Sequence, residues 1–189
     1  LIQFSCSDFF YKNVLYLKTV FNVMWRLSII ISVLMISACI KDDHHGADLK
    51  IGDVIPDFTV VMNDGSVVTD DDLKENVSVV MFFHTSCKDC QQALPIMQQI
   101  YDGYASNGVR FALRSREEDK RTIDAYWEDK GLDMPYSAQN SRKVYRLFAK
   151  ERIPRIYVNE KGGIIRHIFT DDPVPTYDNL KDCLEDVIR

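Results

Sequence analysis

Cysteine is scarce in this chain, with five among 189 residues, and only one pair of the five stands close together in sequence. Four histidines, His44, His45, His84 and His167, are equally sparse, and no second Cys or His pair lies at the spacing a structural zinc site needs. Glycine and proline are too few, at 8 and 6, for a collagenous or low-complexity chain, and no segment repeats. Excess positive charge is absent as well. With 23 Lys and Arg against 28 Asp and Glu the net charge is −5, which argues against a nucleic-acid partner, whose phosphates demand a basic face. Long apolar runs are also missing: the longest stretch of that kind, Leu27 to Met35, is too short to span a bilayer. What remains, at 46% hydrophobic residues, is enough to bury the core of one ordinary domain.

The close pair is Cys87-Lys88-Asp89-Cys90, which follows the apolar, β-like run Val77 to Phe83 and opens an amphipathic helical pattern. A cysteine at a helix N-terminus faces unpaired backbone N–H groups and the positive end of the helix dipole, and both favour the nucleophilic thiolate. A partner three positions on lies within one turn and can close a disulfide, so the pair stores two electrons reversibly. Zinc binding and a purely structural pair are the competing readings. The strand before the motif and the helix after it favour redox chemistry. No metal and no separate cofactor is expected.

The N-terminal part reads as targeting. Met24-Trp25-Arg26, the run Leu27 to Met35 and then Ile36-Ser37-Ala38-Cys39 have the positive region, apolar region and small-residue cleavage site of a secretory signal. Small residues directly before a cysteine resemble the lipobox of bacterial lipoproteins, which implies lipidation of Cys39; an uncleaved anchor helix is the other reading. Residues 1–23 fit neither and are expected to lie upstream of the true start, so residues 1–38 are set aside from the fold. Cleavage before Cys39 leaves 20 basic and 27 acidic residues, a net charge of −7, so attachment to an anionic membrane would rest on acyl chains. Residues 39–50, with Lys41-Asp42-Asp43 and His44-His45, read as a polar flexible tether. The Lys-Asp-Asp resembles the export tag of surface lipoproteins. The location expected is the cell envelope.

Folded structure is expected over residues 51–189. Thr59-Val60-Val61-Met62, the turn Asn63-Asp64-Gly65-Ser66 and Val67-Val68-Thr69 make a β-hairpin, and Asp70 to Leu73 a helix start. The nearly continuous apolar run Val77 to Phe83 predicts a central strand covered on both faces. Ala93, Leu94, Met97, Ile100, Tyr101 and Tyr104 recur at helical spacing as core. There follow a strand at Val109 to Leu113, a helix from Glu117 to Lys130, a short helix around Ser141 to Phe148, a hairpin from Ile153 to Phe169 and a closing helix from Tyr177 to Ile188. Cys183, three positions from Leu180, is expected as a small core residue rather than a third redox thiol.

This order resembles an α/β thioredoxin-like fold: a central mixed sheet flanked by helices, with an N-terminal β-hairpin. More narrowly it resembles the TlpA/ResA group of membrane-anchored thiol-disulfide oxidoreductases and their AhpC/TSA-type relatives. The marks are Gly52-x-x-x-Pro56-Asp57-Phe58, the strand into Cys87-x-x-Cys90, Pro95 and Ile153-Pro154. The resemblance implies a cis Ile153-Pro154 bond facing the dithiol, with the adjacent backbone pairing with the substrate chain. It also implies that Pro95 kinks the active-site helix.

Departures from the pattern are specific. Ser86 replaces the usual Trp before the first cysteine, and Arg152-Ile153-Pro154-Arg155 replaces Gly-x-Pro-Thr. The acid that thioredoxins bury beneath the dithiol falls at Met81, and the one that TlpA/ResA relatives place three residues after the second cysteine falls at Ala93. The proton acceptor for Cys90 is therefore unassigned among Asp89, His84 and water.

The resulting expectation is an enzyme that exchanges disulfides with a partner protein, Cys87 attacking and Cys90 resolving, with an upstream thiol donor restoring the dithiol. Two other classes stand beside it. A peroxiredoxin-type peroxidase would want Pro and Thr where Val80 and His84 stand, and a non-catalytic binding lipoprotein would use the scaffold alone.

Overall fold

The structure, a computed structural model, describes residues 48–189. Cys39 and the whole signal region lie outside the described residues. The first strands, β1 (Thr59–Val61) and β2 (Val67–Thr69), pair antiparallel in the expected hairpin, with Val61 opposite Val67. Asp64 closes the turn by accepting from the Ser66 N–H and hydroxyl. Helix α1 (Asp70–Lys74) starts in a capping box: the Thr69 hydroxyl accepts from the Asp72 N–H and the Asp72 carboxylate accepts from the Thr69 N–H.

Strand β3 (Ser78–Phe83) is buried at every position. It is followed by α2 (Lys88–Tyr104), β4 (Arg110–Ser115), α3 (Lys120–Lys130), β5 (Tyr136–Ser137), β6 (Arg155–Asn159), β7 (Ile165–Phe169) and α4 (Tyr177–Ile188). The sheet order is β5-β4-β3-β6-β7, with β3, β4 and β5 parallel and β6 and β7 antiparallel to their neighbours. Its central strand is therefore the nearly continuous apolar run that carries the chain to the dithiol. The two faces of β3 are both covered. Phe83 stacks on Trp127 of α3, with ring centroids 5.1 Å apart, while Phe82 meets Tyr145 and Phe148 at 5.3 and 5.0 Å. Leu94, Met97 and Ile100 of α2 and Leu180 and Leu184 of α4 complete the core. No helix among the described residues is long and apolar enough to cross a membrane.

Four local features depart from the sequence reading. The short helix expected around Ser141 to Phe148 is a single 3₁₀ turn at Tyr145–Leu147. Its buried anchors are Tyr145 and Phe148, and the Phe148 N–H donates to the Tyr145 carbonyl at 2.9 Å, the i→i+3 bond of a 3₁₀ turn. Helix α3 begins at Lys120 instead of Glu117, because Asp119 caps it by accepting from the Thr122 N–H and Glu118 turns inward. Strand β5, two residues long, was too short to carry a period; the Asn63 side chain and backbone fix it by bonding the Tyr136 N–H and C=O. Finally, order begins before Ile51. Leu49 is buried, its N–H donates to the Phe148 carbonyl, and Asp48 pairs with Arg155 and accepts from the Lys150 N–H.

Candidate active site

Strand β3 delivers the chain to a tight turn, in which the Cys87 N–H donates to the His84 carbonyl at 3.1 Å, and Cys87 then becomes the N-cap of the 17-residue α2. Its sulfur accepts the Cys90 N–H at 3.4 Å, one of the helix donors that has no partner within the helix. Both cysteines are free thiols. Cys87 is half-buried and Cys90 is completely buried, one turn inside the helix. Burial pushes the Cys90 thiol well above its ordinary range, its hydrogen bond to Cys87 adds to this, and the His84 backbone N–H opposes it only partly. The two sulfurs are thus unequal. One is reachable at a helix N-terminus, and the other is held as a protonated thiol beneath it.

Across from Cys87 lies the loop entering β6. The Ile153-Pro154 peptide is cis, and the Cys87 thiol reaches the Ile153 carbonyl at 3.5 Å. Tertiary structure therefore brings together four of the residues singled out from sequence, Cys87, Cys90, Ile153 and Pro154, although 66 positions separate Cys87 from Ile153. Arg152, where relatives in the resemblance carry Gly, adopts a left-handed φ of 72°. Such a conformation costs a residue with a Cβ about 1–2 kcal/mol. Its carbonyl accepts the Tyr145 hydroxyl at 2.8 Å, which anchors the loop, and its guanidinium meets Asp171 at 3.4 Å. Arg155 is buried instead, donating to the Tyr157 hydroxyl at 3.1 Å and pairing with Asp48 at 3.3 Å.

Met81 and Ala93, at the two places where the family puts its acid, are buried apolar positions. The buried carboxylate of this site comes from elsewhere. Glu118, in the loop between β4 and α3, accepts the Thr85 N–H at 2.9 Å and the Thr85 hydroxyl, and its Oε1 lies 3.5 Å from His84 Nδ1. His84 Nδ1 in turn lies 3.2 Å from the Ser86 N–H and 2.9 Å from the Ser86 hydroxyl. Gln91 closes the far side by donating to the Thr85 carbonyl at 2.7 Å. Each residue of the turn before Cys87 is thereby held by a side chain.

Glu118 was read as part of a helix, and sequence held one signal that could have found it. Parallel neighbouring strands end at the same sheet edge, so an acid just after β4 falls beside whatever follows β3. Of the other residues weighed, Asp89 is half-buried at the helix head, and Cys183, half-buried on α4, is a free thiol. Among the described residues, no group of three or more His, Cys, Asp or Glu side chains is placed to hold a metal ion.

Comparison with known proteins bears on this arrangement directly. The model of the AhpC/TSA family matches residues 51–168. The thiol-disulfide oxidoreductase ResA of Bacillus thuringiensis (strain Al Hakam) is 24% identical over 115 residues, an alignment covering 61% of this chain and 66% of that protein, just under two thirds of its length. ResA of Oceanobacillus iheyensis is 26% identical over 159 residues, covering 82% of this chain and 81% of that one. Among solved structures, a thiol:disulfide interchange protein of the thioredoxin family from Chlorobium tepidum TLS superposes with a TM-score of 0.64 at 21% identity, over 76% of this chain and all of that one. The likeness in structure shows a thioredoxin-like fold.

Proposed function

Because the chain belongs to the AhpC/TSA family, we propose that it is a thiol-disulfide oxidoreductase working on disulfides of partner proteins through Cys87 and Cys90. The observation that carries this reading is the inequality of the two sulfurs. Cys87 is reachable at the N-cap of a long helix, 3.5 Å from the carbonyl beside Pro154, and Cys90 is buried and held protonated.

The reaction begins with the Cys87 thiolate attacking one sulfur of the partner's disulfide. A Cys87–partner mixed disulfide forms, and the partner's second sulfur leaves as a thiolate and takes up a proton. Cys90 then loses its proton and attacks the Cys87 sulfur. The partner departs as a dithiol, and the two electrons it has gained leave Cys87 and Cys90 joined as a disulfide. A thiol donor must restore the dithiol. The backbone of the loop entering β6 at Ile153-Pro154, which lies beside Cys87, is available to align an extended segment of the partner.

The reductase direction is tested by equilibrating the Cys87/Cys90 couple in glutathione or dithiothreitol buffers while assaying insulin reduction. A potential near the thioredoxin value of about −270 mV with insulin turnover is expected; one nearer −120 mV would make the protein an oxidase. Cys87→Ser should abolish turnover with the fold intact, and Cys90→Ser should accumulate the mixed disulfide. A pair that never cycles would leave a binding protein on a redox scaffold.

The same proposal places the protein in the cell envelope, exported and anchored through lipid on Cys39. Its support is the sequence alone: a positive Met24-Trp25-Arg26, an apolar run and small residues before that cysteine. Metabolic labelling with a radioactive fatty acid should mark the wild-type protein, and Cys39→Ser should lose the label and leave the membrane fraction. Equal labelling of both would overturn the anchor.

A further inference from the structure

We infer that Tyr145 is a positioning residue for the partner protein: its hydroxyl holds Arg152 in the left-handed conformation that sets the backbone at Ile153. The inference rests on the reading of this loop as the surface that aligns the partner. Tyr145 grips the loop from both ends. Its carbonyl accepts the Phe148 and Ala149 N–H groups, each at 2.9 Å, and its hydroxyl reaches forward to donate to the Arg152 carbonyl at 2.8 Å. The ring between these contacts is buried and meets Phe82 of β3 near the perpendicular, with centroids 5.3 Å apart. The loop is thereby referenced to the same strand that carries the chain to Cys87.

The hydroxyl bond matters because of where it ends. At φ 72°, Arg152 is the one residue other than glycine with a positive φ among the described residues. Glycine enters that region freely, whereas a Cβ disfavours it by a factor of about five to thirty. One hydrogen bond favours the native loop by about five-fold, so bond and strain are of similar size. The other contact of Arg152, from its guanidinium to Asp171 at 3.4 Å, is made by an exposed side chain on a flexible stem and does not fix φ. Burial pushes the Tyr145 hydroxyl up to about 12, so the proton it donates stays in place at working pH. Without the bond Arg152 relaxes toward negative φ, and the Ile153 carbonyl, 3.5 Å from the Cys87 sulfur, turns with it. The backbone offered to the partner is then correct in only a fraction of molecules, and the apparent affinity falls by that fraction. Glycine at 152 would remove the strain, so the aligned loop would persist with or without the hydroxyl.

The test is a mutant cycle in the full-length protein. Tyr145→Phe removes only the hydroxyl, Arg152→Gly removes the conformational penalty, and Arg152→Ala removes the guanidinium while keeping the Cβ. Hydrogen exchange of the peptide covering residues 149–156 reads the loop, insulin reduction reads KM and kcat, and circular dichroism confirms the fold. Tyr145→Phe should speed exchange in that peptide and raise KM about five-fold, with kcat at the wild-type value. Added to Arg152→Ala it should raise KM by the same factor, and added to Arg152→Gly it should leave exchange and KM nearly where Arg152→Gly has them. An unchanged KM in Tyr145→Phe, a loss in kcat instead, or an equal increase in the glycine background would overturn the inference. Insulin turnover by the wild type would still stand in each case, and the oxidoreductase reading with it. A wild type that does not turn over insulin, with the exchange pattern as expected, would overturn that reading and the role toward the partner, and would leave the hold of Tyr145 on Arg152 confirmed.

Discussion

At the scale of single residues the site is an exercise in unequal burial. Cys87 and Cys90 are three positions apart, yet the helix leaves one half-buried and sinks the other completely, and burial holds the proton on Cys90 tightly. A consequence for stability follows with a definite sign. Below pH 8 both folded and unfolded chains keep the Cys90 proton. Above about 8.5 the unfolded thiol ionises while the folded one does not, so the unfolded chain is favoured as pH rises. In a reducing buffer, the urea midpoint of wild type should therefore fall between pH 8 and 9.5, and that of Cys90→Ala should fall less. Glu118 makes a second residue-scale prediction. Glu118→Ala would leave the buried Thr85 N–H and hydroxyl without their acceptor and should cost about 1–3 kcal/mol, measured by urea denaturation. Glu118→Gln, which retains an acceptor oxygen, should cost less.

Among the elements, two strand ends and one turn decide the architecture of the site. Because β3 and β4 run parallel in register, Phe83 beside Ser115, the residues after both strands converge at one edge, and this is how Glu118 reaches Thr85 across 33 positions. The turn between β6 and β7 performs the matching task at the other end of the sheet. Gly163 sits at φ 74°, and a Cβ there would meet Lys74 Cγ at 2.7 Å and Ile55 Cγ1 at 3.0 Å. The close approach lets the Gly163 carbonyl accept from Ile55 and the Gly162 N–H donate to Lys74 of α1, which ties the hairpin to the N-terminal segment. Gly163→Ala should destabilise the fold by about 2–4 kcal/mol through backbone conformation and overpacking together. Thermal unfolding would measure it, and a shift of less than a degree or two would show that the Lys74 side chain simply swings aside.

Across the whole molecule the core contains one group that binary patterning would not place there. Arg114, on β4, is fully buried, and its three guanidinium nitrogens have no hydrogen-bond partner among the described residues. It lies over Phe58, 3.7 Å from the ring centroid, with Phe82 and Phe148 at 5.1 and 5.2 Å. Burial pushes its pKa down to about 9. A desolvated cation–π contact contributes about 2 kcal/mol, while removing a charge from water costs several kcal/mol even after relaxation. The second effect is larger, so Arg114→Met, which fills the same aromatic cage without a charge, should raise stability by about 1–4 kcal/mol in urea denaturation. A loss of stability would show that the aromatic cage more than offsets the desolvation.

Sequence by itself determined the parts whose physics is local. The apolar run ending at Phe83, the dithiol at the following helix head and the Asn63–Ser66 turn each declare themselves within a few residues, since a strand's burial, a helix cap and a turn depend on neighbours in the chain. The closing helix, Tyr177–Ile188, was legible from its apolar period, and the structure adds the Thr176 cap that starts it. Resemblance to a family added the cis bond at Pro154, which no local preference would have suggested. Tertiary structure alone decided the rest. It placed the Ile153 carbonyl against Cys87, turned Glu118 from a helix surface into a buried acceptor, and caged Arg114 among three rings. All three depend on which strand ends share an edge and which side chains share a face. Those are contacts between distant positions, and neither periodicity nor composition in a single sequence encodes their distance.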